Sequence, residues 1–204
     1  RILFISNVKS GIKPTDRYPD LDKASGRIIN DLMYRHWDCF VEEIPHSFLA
    51  SFNGKSLDNV TDILEGLPYD LPTLPFGGIG ELCWSPDGTK IAYSCRKLTG
   101  VAYAVSTNTD IYLYDVATGA EENLSTGMMG YDTAPVFSPC GKYLVWCSME
   151  RDGYEADKNR LMLYSFEDKS IKDLTANFKY NISSASWKTG GDGLYITSCA
   201  EGIT

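Results

Sequence analysis

Short apolar, β-rich runs recur along this chain without helical spacing, and clusters of Gly, Pro, Asp and Ser separate them at near-regular intervals. One phrase recurs: Trp84-Ser85-Pro86-Asp87-Gly88-Thr89-Lys90-Ile91-Ala92-Tyr93, then Phe137-Ser138-Pro139-Cys140-Gly141-Lys142-Tyr143-Leu144-Val145-Trp146, and more loosely Trp187 to Ile196. The copies start 53 and then 50 residues apart. Each sets an aromatic residue before a polar turn centred on Gly88, Gly141 or Gly191, followed by an apolar β-rich run. Pro presets φ, Asp bonds the local backbone and Gly accepts a positive φ, so the unit reads as strand, tight turn, strand.

A second phrase follows the first two copies: Asp110-Ile111-Tyr112-Leu113-Tyr114-Asp115 and Arg160-Leu161-Met162-Leu163-Tyr164-Ser165. Each passes a turn, Ala117 to Ala120 or Glu167 to Ser170, and ends at Leu124 or Leu174 beside a Ser or Thr. The pattern predicts short strands over 80–84, 133–137 and 183–187, with a fourth strand per blade between Tyr93 and Ile111. Helical spacing is confined to a short candidate near Gly26 to Met33. Four-stranded units at this period fan around an axis as a β-propeller more readily than they stack as a solenoid. The expected fold is all-β: an incomplete β-propeller of four-stranded antiparallel blades, about two full blades with partial blades at each end. Its parts are a partial first blade with long insertions (1–78), a second blade (79–129), a third (130–178) and a partial fourth (179–204). Strand counting gives about three, four, four and two, and Arg1 to Ser6 reads like a post-turn strand. The chain is therefore expected to be a piece of a larger propeller, prone to self-association through open blade edges.

With 19 Lys+Arg against 27 Asp+Glu and no basic cluster, the net charge of −8 argues against nucleic acid and anionic membrane surfaces. No apolar run is long enough to insert in a membrane as a helix. The six cysteines lack C-x-x-C spacing; Cys83, Cys95, Cys147 and Cys199 are expected as small buried hydrophobes, and Cys140, in a turn, as the exposed thiol.

Catalytic motifs are missing. The nearest approach to a nucleophile elbow, Gly54-Lys55-Ser56-Leu57-Asp58, lacks the second glycine, and the two histidines, His36 and His46, have no triad context. There is no Walker loop or H-E-x-x-H, and no metal or other cofactor is called for. Function is expected in the first-blade insertions, about Lys9 to His46 and Ser56 to Pro75, since the sheets are committed to packing. There Arg35, His36, Trp37, Asp38, Glu42 and Glu43 form the candidate substrate-binding set, suited to a peptide terminus or a carboxylate. The competing structural reading has Trp37 filling the inter-blade core, Arg35 paired with Asp38 or another acid, and Glu42-Glu43 as a solvated face.

The repeat W-S-P-D-G-x-x-I-A-Y, the Leu32-Met33-Tyr34-Arg35-His36-Trp37-Asp38 stretch and the Asp110 to Asp115 strand together resemble the amino-terminal propeller of the prolyl oligopeptidase family, nearest its dipeptidyl-peptidase and acylaminoacyl-peptidase branches. The resemblance implies a partner, a carboxy-terminal α/β-hydrolase domain of the same protein holding a Ser-Asp-His triad. It casts this chain as the non-catalytic gate that orients short peptides for a serine exopeptidase. It also implies that Glu42 and Glu43 grip a peptide amino terminus, and it hints at a periplasmic or secreted location. Two other readings remain: a TolB-like propeller acting as a binding scaffold, and a propeller enzyme with channel carboxylates.

Overall fold

A computed structural model describes residues 1–203. The chain divides into two compact units, Arg1–Phe76 with Lys97–Val105, and Gly77–Arg96 with the chain from Ser106 onward.

The first unit holds β1 (Ile2–Lys9), the short helix α1 (Pro14–Arg17), a miniature hairpin of β2 (Arg35–His36) and β3 (Cys39–Phe40), β4 (Glu43–Phe52), β5 (Leu57–Asp62) and helix α2 (Gly100–Val105). Its main sheet runs β1-β4-β5, antiparallel, in register from Ile2 opposite Ala50 to Lys9 opposite Glu43. Phe4 and Phe48 face each other across that ladder with ring centroids 5.4 Å apart. Ile44, Leu49, Ala50, Ile63, Leu64 and Leu71 are buried. Among them lies His46, whose Nδ1 is 2.7 Å from Asp62 Oδ2. The helix expected over Gly26 to Met33 is absent: Ile28 instead makes an antiparallel bridge to Ile12. Gly26, the β-branched pair Ile28-Ile29 and Asn30-Asp31 all disfavour a helix interior.

The second unit is a succession of antiparallel meanders. The first sheet is β6 (Leu82–Trp84), β7 (Lys90–Cys95), β8 (Asp110–Asp115) and β9 (Glu121–Asn123); the second is β10 (Asp132–Phe137), β11 (Tyr143–Ser148), β12 (Arg160–Ser165) and β13 (Ile171–Asp173); a third pairs β14 (Ser184–Trp187) with β15 (Leu194–Thr197). The strand expected between Tyr93 and Ile111 does not form; that stretch contains α2, and the fourth strand is β9, after the Ala117 to Ala120 turn. Three residues including two glutamates carry no alternating signal, and β9 is a strand because it pairs with β8.

Each repeated phrase has a defined job. Lys90 N donates to Ser85 Oγ at 2.9 Å, and Tyr143 N to Ser138 Oγ at 3.0 Å, so the serine closes each hairpin from within. Gly88, Gly141 and Gly191 take φ of 67°, 71° and 73°, the left-handed conformation the turn requires. Pro86 packs on Gly141 of the next turn and Pro139 on Gly191 of the one after, 3.8 and 3.5 Å from where a Cβ would stand. The Ser or Thr after each exit leucine pins the third strand: Ile111 N donates to Ser125 Oγ and Leu161 N to Thr175 Oγ1, both at 2.9 Å.

Sheets within this unit pack face to face. Ala92, Ile111, Leu113 and Leu124 meet Phe137, Leu144, Trp146, Met162 and Tyr164 in one core. Val145, Cys147 and Leu161 form a second core with Ile182, and Ala185, Trp187 and Leu194 pack against it. Strand β11 alternates between these cores, which is why its sequence is apolar throughout. At the junction of the first two sheets Asp132 is fully buried, its carbonyl accepting from Ser94 Oγ at 2.5 Å and Thr109 Oγ1 at 2.6 Å.

Cys95 and Cys147 are buried and Cys83 is half-buried, but Cys199 is exposed, contrary to expectation, because it follows the end of β15. Cys140 and Cys39 are exposed too. The Ser138 hydroxyl and the Lys142 backbone hold the Cys140 thiol below its ordinary pKa, whereas Asp38 raises that of Cys39. Iodoacetamide near neutral pH is therefore expected to alkylate Cys140 faster than Cys39 in a peptide-mapped time course; equal rates would contradict this.

Candidate functional site

The connection between β1 and β4, residues 10–42, is the long first-unit insertion, and it encloses a cavity of about 600 Å³. Its wall includes Ile12, Lys13, Arg27, Tyr34, Phe40 and Glu42. At its edge α1 is tied down by Asp16, which accepts from Lys13 N at 2.8 Å and from Lys9 Nζ at 2.6 Å. These bonds, the Ile12–Ile28 bridge and the β2–β3 hairpin fix a segment that has no sheet of its own to rest on.

Phe40 is the pivot. The Arg27 guanidinium carbon lies 3.8 Å from its ring centroid and that of Arg35 lies 4.9 Å away. Arg27 Nη2 also reaches Glu42 Oε1 at 3.2 Å, with Lys13 Nζ 3.8 Å from the other oxygen of that carboxylate. Glu42 is thus engaged by two cations. Glu43, one residue on and already in β4, accepts from Asn7 Nδ2 at 3.4 Å.

The six sequence-predicted residues are distributed over three places. Arg35, His36, Trp37 and Asp38 share the β2–β3 hairpin, Glu42 faces the cavity, and Glu43 opens β4. Arg35 Nη2 donates to the Asp38 backbone carbonyl at 3.1 Å, so it is the carbonyl that receives it in place of the expected carboxylate. Trp37, at the turn with φ of 46°, fills no core: it is 75% exposed and meets the edge of Phe76, itself 79% exposed, with centroids 5.6 Å apart. His36 lies edge-on to Tyr103, centroids 6.3 Å apart, beside a smaller cleft. There the buried Asp70 accepts from Tyr103 Oη at 2.7 Å and from Leu74 N at 2.6 Å.

Arg27, Lys13 and Phe40 complete the cavity and escape sequence reading, because they are scattered over the insertion outside any motif and converge only through the fold. Among the described residues no cluster of His, Cys, Asp and Glu could hold a metal ion, and no helix is long and apolar enough to cross a membrane.

No family model matches the chain. Curated relatives do: it is 48% identical over all 204 residues to dipeptidyl-peptidase 5 of Porphyromonas gingivalis, and 51% identical over 163 residues, 80% of the chain, to that of Porphyromonas endodontalis. A probable dipeptidyl-peptidase 5 of Aspergillus niger is 26% identical over 228 aligned positions spanning the whole chain. The chain spans 30%, 24% and 31% of these three relatives. Among solved structures, an acylaminoacyl peptidase of Pyrococcus horikoshii superposes with a TM-score of 0.61 over 98% of the chain and 27% of its own, at 15% identity. TolB of Acinetobacter baumannii gives 0.51 over 78% and 33%, at 21% identity. At those identities the likeness concerns the fold, an incomplete β-propeller. With dipeptidyl-peptidase relatives along its whole length and blades of this design, the chain belongs to the prolyl oligopeptidase family, as part of the amino-terminal β-propeller.

Proposed function

We propose that this chain is the non-catalytic propeller segment of a serine exopeptidase, gating and orienting short peptides for an α/β-hydrolase domain of the same protein. The observation that carries the reading is 48% identity to a dipeptidyl-peptidase over the full chain, in a sequence with neither nucleophile elbow nor triad. Binding energy from a non-reacting surface serves catalysis by holding the peptide in a productive pose. Long strand-to-strand connections, residues 10–42, 96–109 and 149–159, are the natural places for such contacts, since the turns that carry the repeated phrase are tight hairpins.

Arg35, His36, Trp37, Asp38, Glu42 and Glu43 are the substrate-facing set in this reading. Glu43 suits an amino terminus better than Glu42, because a neutral amide holds it, whereas an ammonium group at Glu42 would have to displace Arg27 and Lys13. The unpaired edges of β1 and β15 are where isolated copies would associate.

The test uses the full-length gene product. It is expected to label with a fluorophosphonate serine probe and to release dipeptides. Glu43→Gln is expected to raise KM by about three- to tenfold with little change in kcat, the loss of one exposed charge contact. Failure to label, with no dipeptide release, would favour the binding-scaffold reading that the TolB fold likeness suggests.

A further inference from the structure

The chain carries a net charge of −8, yet the wall of the insertion cavity is balanced, Lys13 and Arg27 against Asp31 and Glu42, with Arg35 a further cation at its rim. Lys13, Arg27 and Arg35 converge on one ring and one carboxylate, Phe40 and Glu42. Arg35 donates to a neutral carbonyl, and at 3.8 Å the Lys13 ammonium is beyond hydrogen-bond reach of Glu42. The other acid in the wall, Asp31, accepts from its own neighbour Leu32 N at 2.8 Å and lies against Gly100. The face of an aromatic ring attracts a guanidinium but accepts few of its hydrogen bonds, so a guanidinium over Phe40 keeps N–H donors along the edge of its own plane. Ile12, Ile28, Met33 and Val41 line the same space. A volume of about 600 Å³ lies within the range of small-ligand sites.

We propose that this cavity binds an organic carboxylate with an apolar body of dipeptide size. Arg27 and Lys13 meet the carboxylate in competition with Glu42, and the isoleucines, Met33 and Phe40 cover the body. The inference rests on the geometry of the insertion and holds whether or not the protein is a peptidase. Its chemistry has two sources, the free carboxyl terminus of a short peptide or a simple organic acid.

Calorimetry on the full-length protein, with any catalytic serine blocked beforehand by the fluorophosphonate probe, separates these ideas from the peptidase reading. The probes are D-Leu-D-Phe and 4-phenylbutyrate, each beside its amide. The acid is expected to bind at least about tenfold more tightly than the amide, as a charge-assisted contact requires. Arg27→Gln is expected to abolish that preference, and Glu42→Gln to tighten acid binding by about threefold or more, because it removes the competing anion. Loss of binding in Arg27→Gln could come from a loosened loop, but tightening in Glu42→Gln could not. Binding of the dipeptide alone identifies a peptide terminus as the source, and binding of both acids identifies the broader class. Equal binding of acid and amide, no binding of either, or weaker binding in Glu42→Gln would overturn the proposal.

Discussion

Replacing Gly130 by alanine is expected to destabilise the second unit by about 3 kcal/mol or more, among the larger effects of adding one methyl group. A Cβ at this position would collide with the carbonyl carbon and oxygen of Met149 and stand 2.9 Å from the Glu150 nitrogen. These are backbone atoms and cannot rotate away, so β10 and β11 would have to part where Asp132 pairs with Ser148. The bonds from Thr109 N to Gly130 O and from Met149 N to Tyr131 O, 3.3 and 3.1 Å, would stretch with them. Gly88→Ala is the control: its φ of 67° is strained for alanine, but nothing lies within 4 Å of the added carbon, so the cost should be near 1 kcal/mol. Native-state hydrogen exchange of the β11 amides reads the effect locally, even within a longer protein. Protection unchanged from that of the parent would mean that the two backbones can separate freely.

Asp132→Asn is expected to alter the pH dependence of the same junction. Burial pushes the Asp132 carboxyl up to about 7, against a smaller pull from the Ser148 and Ser125 hydroxyls and the Trp146 indole, with Asp110 adding to the rise. Neither oxygen completes a hydrogen bond, so those donors do not offset the burial. The folded protein therefore keeps a proton that the unfolded chain releases near the ordinary value of 3.8. The stability contributed by the protonated form is fully present below about pH 4 and is lost as the pH rises through about 7. Asparagine does not titrate, so the stability of the variant relative to the parent should climb across that window and level off above it. A shift of this size corresponds to at most about 4 kcal/mol. Carboxylates with lowered values, such as Asp87 and Asp115, oppose this slope in both proteins and cancel in the difference. A difference that stays flat from acid to neutral pH would show that the carboxyl is solvated.

The strands and turns that bear the repeated phrases were legible in the sequence because apolar β-rich runs and turn chemistry both act over a few residues. Apart from the β2–β3 hairpin, the described residues form sheets of three, four, four and two strands, the numbers the pattern gives, although the fourth strand of the second blade lies after Ala120 and not before Ile111. The location of β9 was not legible: Glu121-Glu122-Asn123 is a strand only by virtue of its neighbour. Trp37 misled for a related reason, since a large apolar side chain predicts burial on average while a tight turn with φ of 46° points it outward here. In the candidate site, the insertion and Glu42 could be found from the broken repeat. Arg27 and Lys13 could not, because their meeting at Glu42 depends on the bridge between Ile12 and Ile28 and on the fold around it.

The seating of Pro86 on Gly141 and of Pro139 on Gly191 gives the repeat a socket and a plug in one phrase. The middle copy, with Pro139 and Gly141, offers its glycine to the copy before it and its proline to the copy after it, whereas the third copy, Trp187-Lys188-Thr189-Gly190-Gly191, has no proline to pass on. A tandem duplication of the middle copy's blade would thus bring a matched contact for both of its new neighbours, with no compensating change elsewhere. A propeller built on this rule can gain or lose a blade as a unit, and the loops that carry function can diversify while the rim keeps the blades in step.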